Sequence, residues 1–302
     1  RLHGLTCDAL LEVELVDATS RVRVASAREN ADLFWAVRGG GGGNFGVVTR
    51  LAFRPRPVAE KVCVLHARVR PEERLDFLAF WQAWIADGPD ELTPLVYLAA
   101  TPRGIDGPVL LAQHWGDATS ARWALEPFMS FLELPEPEPK ELTPVEAAEF
   151  FGGALDAPLK PVHFKSKSHF FKQELAEQDW RAFLGELEAP IEGVVGLMLD
   201  PWQGAIARVP RADTAFAHRD ALFSVQYRAD WDTPAQKTGS LACLARLYEK
   251  LAPLSDGAYV NYSDKTLTDW RGAYYGEHLE RLTGLKRRFD PDGFFSHPLS
   301  LT

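Results

Sequence analysis

The chain has 302 residues, of which 46% are hydrophobic and 25% charged. That balance excludes disorder as the main state and leaves enough apolar mass for a sizeable core. Lys+Arg 33 against Asp+Glu 42 gives a net charge of −9, which repels a phosphate backbone and argues against nucleic acid as a partner. No apolar run approaches the roughly 20 residues of a transmembrane helix, and no basic amphipathic helix suggests a membrane surface. Cys7, Cys63 and Cys243 are too sparse for a disulfide framework, and no C-x-x-C points to zinc. They read as partly buried thiols, and few cysteines with an acidic balance fit a bacterial cytoplasm. At about 150 residues per domain, two domains are expected. The chain begins RLHGLTCDALL, with neither an initiator Met nor a signal-peptide pattern, so a processed or truncated chain is expected.

In chain order, 11–16 (LEVELV) and 21–25 (RVRVA) alternate apolar and polar residues and predict two strands joined by a turn at Asp17–Ser20. Asn30 is expected to cap a short helix, NADLFWAVR, which the glycine run ends. FGVVTRLAFRP predicts a further strand, stopped by Pro55 and Pro57. KVCVLHARVR alternates cleanly and predicts a strand with one buried face. Pro71 opens a helix, PEERLDFLAFWQAWIAD, with Leu75, Leu78, Trp81 and Ile85 on one stripe. Two strands follow at TPLVYLAAT and PVLLAQHW, then a helix capped by Asp117 that Pro127 should bend or break. LPEPEPKELTP reads as a polar, proline-rich connector, ended by a capping box at Thr143 and Glu146 that opens a helix through AAEFF.

Strands are expected at HFKSKSHFF, GVVGLML, AIARV and LFSVQYRADW, with helices at EQDWRAFLGELEA and from Pro234 to Leu251. Alternating strands with one polar face favour an antiparallel sheet with helices packed on the other face. GAYVNYSD predicts a strand. The stretch from Asp269 to Phe289 predicts one helix, with Trp270, Tyr274, His278, Leu282 and Leu285 at helical spacing. The texture divides the chain into 1–58, 59–255 and 256–302.

Three stretches carry chemistry. Five consecutive glycines, Gly39 to Gly43, leave backbone N–H groups unshielded, so a phosphate or flat ring can approach closely. No Lys-Ser/Thr pair follows, so this is not a P-loop, and the run follows a helix, unlike the dinucleotide fingerprint. Tyr259, Asn261 and Tyr262 bring phenols and an amide together, suited to orienting a ring or deprotonating a hydroxyl. His218 beside Arg219 is a further candidate. No H-E-x-x-H, G-x-S-x-G or paired metal-ligand spacing occurs, so no metal is expected.

Together these stretches resemble one family. ENADLFWAVRGGGGGNFGVVTRLAFRPRPV is similar to the glycine-rich segment of FAD-linked oxidases of the berberine bridge enzyme type, within the vanillyl-alcohol-oxidase superfamily with its PCMH-type FAD-binding domain. TAFAHRDALFSVQY, AYVNYSD and WRGAYYGEHLERLTGLKRRFDPDGFFSHPLSL resemble later segments of the same family, in the same order. The resemblance runs from Gly4 to Leu301. It implies an α+β fold: a partial FAD-binding domain from 1–58 and 256–302, and between them, at 59–255, a substrate-binding antiparallel sheet covered by helices. It implies FAD as cofactor, with Gly42, Asn44, Gly46, Val48, Tyr259 and Asn261 as cofactor contacts. Tyr262 is implied as general base and His218 as a residue near the substrate.

The resemblance also implies the reaction, hydride transfer from a hydroxyl-bearing or activated C–H substrate to flavin, with O2 as acceptor. Small-molecule substrate and oxygen are the expected partners. The family's first flavin subdomain, with its pyrophosphate loop and attachment histidine, precedes the segment where this chain starts, and Cys7 is not taken as the attachment residue. Trp202-Gln203-Gly204 departs from a family Gly-Gly pair. A missing phosphate-binding half predicts weak FAD binding by 1–302 alone and exposed apolar surface on strands 11–16 and 47–53. The competing classes are a flavin-free binding protein and one half of a split flavoenzyme.

Overall fold

The computed structural model describes residues 1–133, 139–152 and 163–301. The elements are, in order, β1 (Leu10–Val16), β2 (Val22–Ser26), α1 (Ala31–Val37), β3 (Val47–Phe53), β4 (Val62–Arg68), α2 (Arg74–Asp87) and β5 (Leu92–Thr101). They continue with β6 (Gly104–Trp115), α3 (Ala118–Phe131), β7 (Lys140–Leu142), α4 (Pro144–Gly152), β8 (His163–Phe171) and α5 (Glu177–Glu188). The last are β9 (Val194–Pro201), α6 (Ala205–Arg208), β10 (Phe223–Trp231), α7 (Pro234–Leu251), α8 (Trp270–Tyr275) and α9 (Leu279–Phe289). Part of the proline-rich connector, 134–138, lies outside the described residues.

Two compact units result: Arg1–Leu2, Pro57–Gly204 and Ala221–Ser255 form one, and His3–Arg56, Ala205–Asp220 and Asp256–Thr302 the other. The segment 205–220, placed in the middle block by sequence texture, thus belongs with the terminal segments.

The first unit is an antiparallel seven-stranded sheet, ordered β7-β4-β6-β5-β9-β10-β8. Alternation along the central strands puts one row of apolar side chains under the helices: Leu98 pairs with Leu197, which pairs with Tyr227, all fully buried. α2, α3, α5 and α7 cover that row in one core. Fully buried Trp81 of α2 satisfies its indole N–H on the Pro94 carbonyl (2.8 Å) while its ring meets Phe223 edge-on. α4 packs on β4 and β7 through Ala147, Val62, Val64 and Leu142. The capping box is formed, with Thr143 N–H on Glu146 (2.8 Å) and Glu146 N–H on Thr143 Oγ1 (3.3 Å).

One buried group in this unit sets a pH dependence. His169 is 2% exposed, stacks on Tyr248 and has Nδ1 3.1 Å from the Tyr227 hydroxyl. Burial, and then the Lys167 charge, pushes its imidazole down from 6.5 to about 3. The fold therefore favours the neutral ring. That contribution is complete above pH 6.5 and is lost as pH falls from 6.5 towards 3, at up to about 1.4 kcal/mol per pH unit. Asp200 on β9 has the opposite sign: burial raises its carboxyl to about 6, so its contribution is present below 3.8 and lost as pH rises through 6. The two are separated by urea unfolding of wild type and His169→Phe at pH 7 and pH 5. The variant should lose about 2 kcal/mol less than wild type over that interval. Parallel losses would remove His169 as the source.

Several local expectations are corrected. AIARV is helical, as α6, because it is closed off between Gly204 and Pro210 and only Ile206 turns inward. GAYVNYSD is no strand, because its polar groups bond elsewhere: Ala258 N–H goes to the Ala273 carbonyl, Tyr262 N–H to the Tyr259 carbonyl and Asp264 N–H to the Tyr274 hydroxyl (each 2.9 Å). The expected helix from 269 to 289 is broken at Gly276, whose φ of +47° separates α8 from α9. The five residues of its stripe are nonetheless all buried. Asn30 does not cap α1; it sits in the left-handed region and its amide donates to the Val24 carbonyl (2.7 Å). α3 runs through Pro127, because the carbonyl it leaves without a donor belongs to Trp123, which is 80% exposed and open to water.

Candidate functional site

The second unit builds its site on the three-stranded sheet β2-β1-β3. Alternation in β1 sends Glu12 and Glu14 to one side, where Arg50 meets both (2.8 and 3.9 Å) and Thr49 donates to Glu14 (2.7 Å). Two register shifts, at Leu11 and Thr49, then gather apolar residues on the opposite side. Leu10 pairs with Phe53, Val13 with Leu51 and Leu15 with Val48, so all share one face. β3 is an edge strand, and Val48, Leu51 and Phe53 on it remain exposed. The buried Asp17 carboxylate holds the β1–β2 turn by accepting from Thr19, Arg21 and Arg23. Against the effect of burial, those bonds keep it well below the usual carboxylate range.

That apolar face forms one wall of a cleft of about 520 Å³. The glycine run after α1 forms another, through Gly39 and Gly41–Gly43. Gly41 requires its missing side chain: φ is +77°, and a Cβ would lie 2.9 Å from both the Tyr275 hydroxyl and Val260. At Gly42, which lines the cleft, a Cβ would meet nothing within 4 Å. Thr6 and Cys7, Phe216, and Tyr259–Asn261 are also in the lining.

Six sequence-predicted residues therefore meet in this cleft: Gly42, Asn44, Gly46, Val48, Tyr259 and Asn261. Asn261 Nδ2 donates to the Tyr259 hydroxyl (2.7 Å), fixing the phenol beside the glycines. Asn44 takes a different part from a direct side-chain contact. It is 1% exposed, with its amide donating to the Gly40 carbonyl (2.9 Å) and accepting from Leu301 N–H (3.1 Å). Tyr262 is half-buried and stands edge-on to Tyr259 at 5.2 Å, adjacent to the lining but outside it. His218 is also outside: its Nε2 donates to the Ala273 carbonyl (3.0 Å), and its ring fills the space a Gly257 side chain would need.

The sequence reading missed Leu10, Leu15, Leu51, Phe53, Phe216 and Cys7. Alternation hinted at the strand residues, but the two register shifts have no sequence signal. Cys7 reaches the cleft as an inert thiol. Burial, then the Asp8 carboxylate, pushes it up to about 11 against the pull of Arg219 and Arg38, so it is protonated at neutral pH.

The lining is apolar and side-chain-free on two sides, with an uncharged polar edge at Tyr259 and Asn261. It carries no Lys or Arg among the described residues. Such a slot fits a flat heteroaromatic ring, and it offers no cationic side chain to a diphosphate. The residues present thus fit the ring portion of FAD. Among the described residues, no group of three or more His, Cys, Asp or Glu converges as a metal site, and no helix is long and apolar enough to cross a membrane.

Residues 258–302 match the "Berberine and berberine like" family. Over its whole length the chain is 30% and 29% identical to two Bacillus subtilis (strain 168) proteins, the uncharacterized FAD-linked oxidoreductases YvdP and YgaK, covering 67% and 66% of them. It superimposes on berberine bridge enzyme from Eschscholzia californica with a TM-score of 0.87 and 25% identity, over 98% of this chain and 66% of that one. The chain spans about two thirds of the length of these relatives. With the α+β fold, the glycine-walled cleft and these matches in place, the chain belongs to the berberine bridge enzyme-like family of FAD-linked oxidoreductases.

Proposed function

We propose that the chain serves an FAD-dependent oxidase, with the cleft of the second unit holding the flavin ring and the seven-stranded unit acting as the substrate-binding domain. The observation that carries this reading is the convergence of the glycine run, the Tyr259–Asn261 pair and the apolar face of β3 on one uncharged cleft. Flavin, when bound, supplies the hydride acceptor, and O2 takes the electrons on as hydrogen peroxide. The chain's own residues do the rest. The glycine backbone would admit the ring, Val48, Leu51 and Phe53 would shield it from water, and Asn261 holds the Tyr259 hydroxyl. Tyr262 is the general base that takes the proton from a substrate hydroxyl or activated C–H position. His218 acts on the substrate side indirectly, by fixing the Ala273 carbonyl and the backbone at Gly257.

The uncharged lining makes the reading testable with the chain as it is. Visible absorption and fluorescence titrations with riboflavin and with FAD should show weak binding of similar affinity, because the cleft lining brings no cationic side chain to the phosphates. Unperturbed flavin spectra would exclude the cleft as a flavin site. FAD bound more than about tenfold tighter than riboflavin would place a phosphate site on other residues of the chain. In flavin-loaded protein, Tyr262→Phe should slow flavin reduction by about 100-fold or more while leaving flavin affinity intact. Unchanged reduction would remove Tyr262 as the base.

A further inference from the structure

The glycine run cannot hold its own shape, since glycine has no side chain to pack and the most backbone freedom to lose. Its shape is imposed from behind by a buried ionic group. Lys286 on α9 is 1% exposed, and its ammonium makes three bonds: to the Asn44 carbonyl (2.8 Å), the Phe295 carbonyl (2.7 Å) and the Asp290 carboxylate (2.6 Å). All three of its protons are used. Asp290, also buried, accepts in turn from Phe294 N–H (2.7 Å) and Phe295 N–H (2.9 Å). The pair therefore ties α9, the tail after it and the end of the glycine run to one point. The other end of the run is held at the Gly40 carbonyl, which accepts from Asn44 Nδ2 (2.9 Å) and from the Tyr275 hydroxyl (3.3 Å). Asn44 Oδ1 takes the Leu301 N–H, so the same tail is fastened a second time.

We propose that Lys286, with Asp290, is a positioning residue for flavin: it locks the backbone from Gly40 to Asn44 in the shape that receives the ring, and so sets flavin affinity without touching flavin. The inference rests on the flavin reading above. Lys286 is suited to this because an ammonium can donate to two carbonyls and a carboxylate at once, and because a buried charge with every proton engaged tolerates little displacement. An apolar residue at 286 would leave the Asn44 carbonyl without its donor and Asp290 without its counter-ion.

The test uses the full chain as Lys286→Met and Lys286→Arg, with three readouts: thermal unfolding, amide hydrogen exchange of residues 39–46 and fluorescence titration with lumiflavin, the ring alone. In Lys286→Met, at a temperature where the chain is folded, exchange at 39–46 should rise about tenfold or more and lumiflavin affinity should fall about tenfold. Lys286→Arg keeps the charge for Asp290 but replaces a compact ammonium with a larger, planar guanidinium whose donors lie in one plane, so an intermediate loss of about threefold is expected. If Lys286→Met fails to fold, Lys286→Arg decides by the same readouts. Wild-type exchange and wild-type lumiflavin affinity in a folded variant, with only the unfolding temperature lowered, would overturn the positioning inference. A wild-type chain that leaves lumiflavin unbound would instead overturn the flavin reading itself.

Discussion

Gly39→Ala is expected to destabilise the second unit by about 4 kcal/mol, whereas Gly42→Ala, three residues on, should shift stability by less than about 0.5 kcal/mol. Both add one methyl group, so the contrast isolates geometry. Gly39 has a φ of +128°, which L side chains rarely adopt, and its Cβ would lie 2.2 Å from Phe216 N and 2.6 Å from the Ala215 carbonyl carbon. Those are backbone atoms of the 205–220 segment, which is held by the Trp35 indole on the Ala212 carbonyl (2.8 Å) and Arg38 on the Asp213 carbonyl (2.8 Å). The segment cannot yield without breaking these bonds, so strain and displacement add. Gly42 has neither problem, since a Cβ there meets nothing within 4 Å. Gly42 lines the cleft where the ring is proposed to lie, so Gly42→Ala should weaken riboflavin binding with the fold intact. Urea unfolding and flavin titration of the two variants separate stability from binding. Equal stabilities would mean that residues 205–220 do not press on the glycine run.

Asp8→Ala carries the second large effect, a loss of about 3–5 kcal/mol. Arg219 is 1% exposed and its guanidinium grips both oxygens of Asp8, at 2.6 and 2.9 Å, with Thr214 Oγ1 as a further acceptor at 2.8 Å. Removing the carboxylate strands a buried cation. It also takes away the acceptor of Leu5 N–H (2.8 Å), which starts the 3₁₀ turn Thr6–Ala9 carrying Cys7 into the cleft. The cost belongs to the orphaned charge more than to the pair, so the double variant Asp8→Ala/Arg219→Met should be less destabilised than Asp8→Ala alone. A urea double-mutant cycle measures this, and additive losses would show that the two residues act independently.

Much of the first unit was legible because most of its strands are long and bounded by turn residues; the three-residue β7 was not, since Lys140–Leu142 lay inside the expected polar connector and becomes a strand only by pairing with β4. β8, β10 and α7 coincide closely with their expected spans, and the capping box at Thr143 and Glu146 forms as its spacing implies. Short or irregular pieces were not legible. AIARV has strand-like composition but no neighbour to pair with, and local helix bonding wins. The aromatic density of GAYVNYSD reads as β propensity, yet its N–H groups bond to α8 and to its own backbone. At Gly276 the apolar stripe continues while the backbone breaks, because burial follows side-chain spacing and continuity follows φ.

The candidate site divides the same way. The sequence by itself determined its chemistry: a glycine run that exposes backbone, a Tyr259–Asn261 pair, an apolar strand, and a family resemblance built on their order. Only the tertiary structure decided how they are used. Two register shifts, invisible to periodicity, bring Leu10 and Val48 onto one face with Leu51 and Phe53. Burial turns the Asn44 amide inward, and packing on Ala273 and Gly257 keeps His218 out of the cleft lining. Lys286 and Asp290, four residues apart near the end of the chain, give no hint of the loop they hold, because the Lys286–Asn44 contact spans 242 positions. Residue type and spacing record what a segment can do; which partner it meets depends on distant segments competing for the same buried hydrogen bonds, and that competition is settled only when the chain is folded.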